Sequence, residues 1–348
     1  MLKKRRLGRT EMMVSELGFG GIPIIPLPEP EAVGVVRHCF DRGINFFDTA
    51  NMYADSEIKI GKALADARSD IYLATKTTER SLAGANAHLE LSLKQLGVDH
   101  IDLYQLHNLM KPEEIKEAFG PGGVYPAVEK ARREGRVKHI GFSSHDLNAA
   151  IELCRTGKFS TVQIPFNFIE REPADELFAA AKENDMGVIA MKPIGGGLLD
   201  RVDLCFKFLR QHPEALPIPG FSSIAEADEV IDFYLNPQPM TAEDEAALVE
   251  LREIIGKKFC HRCAYCLPCP QDVNIPGAFL FPSVVARFDP AMTVAFTGRA
   301  VESARECIEC EDCVSRCPYS LNIPEMLKET VEKYDRFLME HHLASPGA

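Results

Sequence analysis

Over its first two-thirds the chain alternates between two hydrophobic patterns. Short runs rich in β-branched and aromatic residues, "SELGFGG", "INFFDTA", "IYLATKT", "IDLYQLHN", "VKHIGFSS", "TVQIPFNF", "GVIAMKPIG" and "LPIPGFSS", have the length and composition of strands. Between them lie segments with helical spacing, among them "PEAVGVVRHCFDRG", "AGANAHLELSLKQLG", "GVYPAVEKARREG" and "PADELFAAAKEND". Several close on Lys, Arg or Gly, as helix C-termini do. Eight strands alternating with helices predict an α/β fold with a parallel sheet, and eight is the number that closes a (β/α)8 TIM barrel. The competing doubly wound sheet lacks its usual mark, because no G-x-G-x-x-G follows the first strand.

After residue 236 the pattern changes. "NPQP" breaks the last barrel helix and Thr241 is placed to cap a further amphipathic helix, so 1–236 reads as the barrel and 237–258 as a linker and helix. Residues 259–325 form a cysteine-rich module, and 326–348 a C-terminal helix and tail expected to pack back on the protein. His341 and His342 read as solvated there rather than as ligands. The module nearly repeats itself, as "CHRCAYCLPCPQDVNIP" and then "CIECEDCVSRCPYSLNIP". Cys307, Cys310, Cys313 and Cys317 have the spacing C-x2-C-x2-C-x3-C-P that wraps a 4Fe–4S cube. Cys260, Cys263, Cys266 and Cys269 repeat it with one residue fewer in the last gap. Structural zinc is the alternative, but such a site joins two separated cysteine pairs rather than evenly spaced runs. Cys39, Cys154 and Cys205 stand alone in helix-like contexts and read as small buried residues.

Composition narrows the partners. Lys and Arg number 39 against 51 Asp and Glu, a net charge of −12, which argues against nucleic acid or an anionic membrane. No apolar run approaches the roughly 20 residues of a membrane span. The basic start "MLKKRRLGRTEMMV" has no apolar stretch behind it, so it does not read as a signal peptide. A cytoplasmic location is the expectation.

Four polar residues fall where a barrel does its chemistry. Asp48 ends the second strand, Lys76 the third and His107 the fourth, with Tyr53 in the loop after Asp48, all on the C-terminal rim. A tyrosine hydroxyl titrates near ~10. A neighbouring lysine would lower that value, an aspartate would keep the lysine charged, and a histidine could hydrogen-bond a substrate carbonyl.

At this point the sequence resembles the aldo-keto reductases, in particular those carrying a C-terminal ferredoxin-like segment. The matching stretches run in colinear order over roughly residues 3 to 230, and "FDTANMYADSE" is the most specific. The resemblance implies a NAD(P)H-dependent oxidoreductase acting on a small carbonyl or alcohol, with Tyr53 as general acid, Lys76 and Asp48 as its tuning pair and His107 orienting the carbonyl. It further implies that Gly20, Gly21, Ser143, Ser144, Gln163, Met191, Gly195, Gly196, Leu198, Gly220, Ser222 and Glu226 lie along the cofactor. Met191 or Lys192 stands where the family often places a ring on the nicotinamide. Gly220 and Glu226 stand where NADPH-using members present a lysine and an arginine, and an anionic Glu226 would repel a 2′-phosphate, so NADH is expected over NADPH. Val230 stands where an asparagine is sometimes found. The cysteine module resembles the two-cluster bacterial ferredoxins, in which the fourth cysteine of each run serves the other cluster. Carried over, Cys260, Cys263, Cys266 and Cys317 hold one cube, and Cys307, Cys310, Cys313 and Cys269 the other.

A nicotinamide yields two electrons as hydride, whereas a cube takes one. No flavin motif is visible to split the pair, and a flavin stays open as a further cofactor. Three readings follow: a reductase whose clusters exchange electrons with a redox protein partner, the same reductase with structural or docking clusters, and a non-catalytic electron-transfer or interaction subunit. The segment 109–124 is expected in the wall of the site.

Overall fold

All eight apolar runs become strands of one parallel sheet in the computed structural model, which describes residues 1–345. They are β1 (Phe19–Gly20), β2 (Phe46–Asp48), β3 (Tyr72–Thr77), β4 (Ile101–Leu106), β5 (Val137–Ser143), β6 (Thr161–Pro165), β7 (Gly187–Met191) and β8 (Ala215–Pro217). The ladder runs in chain order. Its ends meet where the N–H groups of Gly18 and Gly20 donate to the carbonyls of Pro217 and Pro219, at 2.9 and 2.8 Å. The backbones approach so closely along this seam that a Cβ on Gly220 would lie 2.4 Å from the Gly20 carbonyl oxygen.

Around the sheet run α1 (Glu29–Asp41), α2 (Ser56–Ala63), α3 (Leu82–Leu96), α4 (Pro112–Phe119), α5 (Val124–Arg133), α6 (Leu147–Arg155), α7 (Leu177–Glu183), α8 (Val202–Arg210) and α9 (Ile224–Leu235). The first and last of these are tied together: His38 and Arg42 both meet Asp228, and Arg42 also reaches Asp232 at 2.8 Å. Cys39, Cys154 and Cys205 are buried in α1, α6 and α8, as apolar residues would be.

Inside the sheet, alternation of side chains along each strand builds layers. Phe46, Ala74, Leu103, Ile189 and Leu216 form a buried apolar layer. Two residues further along β2, β3 and β4 stand Asp48, Lys76 and Gln105, which therefore point to the same interior, nearer the C-terminal rim. Below the apolar layer lies a feature that periodicity does not reveal. Lys4–Arg6 and Met13–Ser15 pair as an antiparallel hairpin, each strand too short to show alternation. Its Leu7, Met12 and Val14 pack on the apolar layer and floor the barrel. Gly8 turns this hairpin with φ +52°, and a Cβ there would sit 2.2 Å from the Gly187 backbone nitrogen.

By packing, Met1–Gly195 with Arg201–Met240 forms one unit, and Gly196–Asp200 with the chain from Thr241 onward forms a second. The second is mainly helical, with α10 (Ala242–Ile255), α11 (Ile275–Ala278), α12 (Phe281–Val285), α13 (Pro290–Ser303), α14 (Asp312–Arg316) and α15 (Ile323–Glu340). Thr241 caps α10 in a capping box with Asp244, satisfying two backbone donors at the helix start. Leu327, Tyr334 and Phe337 of α15 share one core with Phe281 and Val301, while His341 and His342 are exposed. Among the described residues no helix is long and apolar enough to cross a membrane.

Two glycine substitutions separate strain from steric conflict at the floor. Gly135 also has positive φ (+79°), but nothing lies within 4 Å of its missing Cβ. Gly135→Ala is expected to cost about 1–2 kcal/mol of left-handed strain, and Gly8→Ala clearly more because a backbone atom must also move. Thermal unfolding of the two variants checks this. Equal losses would mean that the floor does not hold its backbone in place.

Candidate functional site

The rim is organised around one buried ammonium. Lys76, 1% exposed at the end of β3, donates to the Asp48 carboxylate and, at 2.7 Å, to the Thr49 carbonyl. Gln105 holds the second Asp48 oxygen at 2.8 Å, which fixes the carboxylate between two strands. The Tyr53 ring lies 5.1 Å from Lys76 Nζ and 5.8 Å, edge-on, from the His107 ring. Asp48, Tyr53, Lys76 and His107 therefore come together.

Charge and burial set the protonation of this group. Burial works to lower the Lys76 pKa, but Asp48 and Tyr53 outweigh it and hold the ammonium above its ordinary value. Burial raises the Tyr53 hydroxyl, and Lys76 only partly offsets this. The sequence-based expectation that lysine brings this tyrosine below its usual range is thus reversed by desolvation. His107 is pushed down to about 3 by burial first and then by Lys76, Arg80 and Lys192. It is a neutral imidazole at ordinary pH.

Several residues in the site went unnoticed in the sequence. Gln105 shares the inward face of β4 with His107, and that parity was the available signal. Arg80 donates to the His107 carbonyl at 2.7 Å and pairs with Glu114 of α4, within the 109–124 segment. Glu57 of α2 is wholly buried and receives Thr75 Oγ1; burial lifts its carboxyl above the usual range. Three non-glycine residues directly following site positions adopt positive φ: Ala54 at +44°, Asn108 at +56° and Lys192 at +56°. Such conformations are costly and persist only where surrounding packing imposes them.

The expected cofactor positions divide. Ser143 and Ser144, at the end of β5, meet Gln163 in the middle of β6, where Ser143 pairs in register with Gln163 and the Ser144 N–H donates to the Gln163 carbonyl at 3.0 Å. Gln163 Nε2 is buried without a hydrogen-bond partner. An amide donor held ready in this way fits the carboxamide of a nicotinamide. Met191 ends β7 half-buried, and Lys192 Nζ lies 3.3 Å from His145 Nε2. Gly20 and Gly220 occupy the barrel seam. Gly21 donates to the Asp48 carbonyl at 2.8 Å. Glu226, in the first turn of α9, accepts from the N–H and the hydroxyl of Ser222, both at 2.8 Å. Gly195 has φ +59° and closes the first segment of the first unit, whereas Gly196 (φ +78°) and Leu198 belong to the second.

In the second unit the cysteines fall into two groups that exchange their last members. Cys269 of the first run lines a narrow apolar cavity with Cys307, Cys310 and Cys313. Cys317 of the second run lies near Cys260, as does Cys263, and Cys266 lies near Cys260, Cys263 and Cys313. His261 stacks on Tyr319 with ring centroids 3.5 Å apart, which fastens the loop carrying Cys260 to the turn carrying Cys317. Four thiols around one cavity suit a multi-iron cube. Among the described residues no three His, Cys, Asp or Glu side chains converge on a single metal ion.

Comparison with known proteins follows this division. The aldo/keto reductase family profile matches residues 16–204, and that of a 4Fe–4S dicluster domain matches 259–322. Two Bacillus subtilis proteins described as uncharacterized oxidoreductases are similar over the barrel. YqkF is 29% identical, covering 64% of this chain and 73% of its own, and YrpG is 34% identical, covering 56% and 67%. The holo form of an aldo-keto reductase from Bacillus halodurans superposes with a TM-score of 0.63 at 27% identity, over 72% of this chain and 96% of that one. An aldo-keto reductase from Klebsiella pneumoniae, solved in complex with NADPH, shares the fold at 23% identity, with a TM-score of 0.62 over 72% of this chain and 95% of that one.

The depressed pKa of His107 has a consequence for stability. An unfolded chain takes up a proton at this residue near pH 6.5, whereas the folded chain does so only near 3. The contribution is therefore fully present above pH 6.5 and is lost as pH falls towards 3. Thermal unfolding from pH 7 to 4 should show the unmodified protein losing more stability than His107→Gln. Parallel losses would show that the imidazole is not held neutral.

Proposed function

The chain belongs to the aldo/keto reductase family and carries a 4Fe–4S dicluster domain, and on that premise we propose that it interconverts a small-molecule carbonyl and its alcohol with a nicotinamide cofactor. The observation that carries this reading is the convergence of Asp48, Tyr53, Lys76 and His107 on one rim. A bound nicotinamide would supply the hydride that goes to the carbonyl carbon. Tyr53, which keeps its proton at neutral pH, donates it to the carbonyl oxygen. Lys76 stabilises the phenolate left behind, held in place by Asp48, whose carboxylate Gln105 fixes in turn. Neutral His107 donates a hydrogen bond to the same oxygen without competing to protonate it. Ser143, Ser144 and Gln163 would hold the carboxamide of the cofactor.

Glu226 supports a preference for NADH. Its carboxylate, on an exposed first turn, places negative charge where the family resemblance puts the adenosine ribose. For the clusters we take Cys260, Cys263, Cys266 and Cys317 as one ligand set, and Cys307, Cys310, Cys313 and Cys269 as the other, exchanging electrons one at a time with a redox partner.

Two experiments test the proposal. Tyr53→Phe should lower kcat for carbonyl reduction by about 10²–10⁴ while leaving cofactor binding nearly unchanged, and the unmodified protein should show a higher kcat/KM with NADH than with NADPH. Undiminished turnover in the variant would remove Tyr53 as the acid. Under anaerobic conditions, excess NADH without a carbonyl should slowly bleach the visible absorbance of the iron-loaded protein, the hydride pair being split by a bound flavin that the spectrum of the same sample would reveal. Unbleached clusters with NADH bound would favour clusters that hold structure or dock a partner.

A further inference from the structure

Up to their third cysteines the two loops match in spacing and oppose each other in charge. Among its first three cysteines the first loop places His261 and Arg262, and the second places Glu309, Glu311 and Asp312. Arg262 takes φ +58°, and its backbone N–H donates to Cys260 Sγ at 3.4 Å, which seats the residue against the sulfur. Its guanidinium Nε and Nη2 are buried and have no hydrogen-bond partner. Nitrogens of a guanidinium withdrawn from water without an acceptor are costly, so their burial calls for an acceptor of negative character. The sulfur atoms of an iron–sulfur cube, with their thiolate ligands, have that character. Glu309 and Glu311 differ in kind, being exposed, so that water attenuates their charge.

We infer that Arg262 faces the cluster bound by Cys260, Cys263, Cys266 and Cys317 and raises its reduction potential above that of its twin. Reduction adds one negative charge to a cube, and a nearby buried cation stabilises that form more than the oxidised one. Arg316 also lines the second cavity, but its Nε already donates to the Asp312 carbonyl at 3.0 Å; the two cubes are then electrically distinct despite near-identical ligand runs, and a single electron on the domain resides on the first. The inference rests on the dicluster reading and adds an order to it. Arg262 is a positioning and tuning residue here, with no part in the carbonyl chemistry.

The test is a redox titration of the full iron-loaded protein, followed by EPR, with iron and sulfide measured on the same samples. The unmodified protein should reduce in two separate one-electron steps. Arg262→Gln should lower the upper step, so that its reduced-to-oxidised ratio at fixed potential falls about tenfold, or about 59 mV for one electron, while the lower step stays in place. Arg262→Lys should keep most of the separation. If Arg262→Gln cannot retain its iron, Arg262→Met is titrated in its place, because it removes the same charge with an apolar side chain of similar reach and should lower the upper step likewise. An upper step indifferent to the loss of the Arg262 charge, or two steps that move together, would overturn the inference. Less than two clusters' worth of iron in the unmodified protein would instead overturn the dicluster reading beneath it.

Discussion

Everything on the barrel rim follows from the burial of one positive charge. An ammonium as enclosed as that of Lys76 persists only with a counter-charge and filled hydrogen bonds, and losing the partner of such a pair typically costs about 3–5 kcal/mol. Asp48 supplies the charge, the Thr49 carbonyl a further acceptor, and Gln105 stops the carboxylate from turning away. The same cation contributes to holding His107 neutral and pulls on the Tyr53 proton against desolvation. β2, β3 and β4 are adjacent and expose every second residue to the interior, so three neighbouring strands suffice to assemble the group.

Much of this was legible in the chain itself. Strands buried on both faces read as near-continuous apolar runs, which made the eight-strand count visible. A polar residue closing such a run, as Asp48, Lys76 and His107 do, has little reason to be there except the rim. Gln105 was obscured because it sits inside "IDLYQLHN", where a polar residue passes for ordinary strand content. Glu57 lies in "DSEIKIGK", whose charges resemble a solvated helix face, and only tertiary packing buries it. The direction of the Tyr53 shift does not follow from the sequence, because pairwise charge arguments start from water, whereas desolvation is a property of the assembled site. Nor do Ala54 and Lys192 signal left-handed backbone, since neither residue favours it; their conformations are imposed by what surrounds them.

The cysteine unit shows the complementary case. Spacing alone announced two clusters, because thiolate ligation is a local geometric demand that a repeat satisfies visibly. The exchange of Cys269 and Cys317 between the groups is a long-range matter, supported by a contact as inconspicuous in sequence as His261 against Tyr319. Charge differences between the two loops are plain in the letters. That Arg262 buries two guanidinium nitrogens while its backbone N–H meets Cys260, and that the glutamates stay in solvent, is visible only in three dimensions.

The hairpin beneath the barrel makes the interior a cul-de-sac. Leu7, Met12 and Val14 seal the lower mouth against Phe46, Leu103 and Leu216, so reactant, product and water share one doorway. Within the barrel, what reaches Tyr53 therefore enters at the rim, whose loops can be rewritten while the sealed end is left to hold the strands in register.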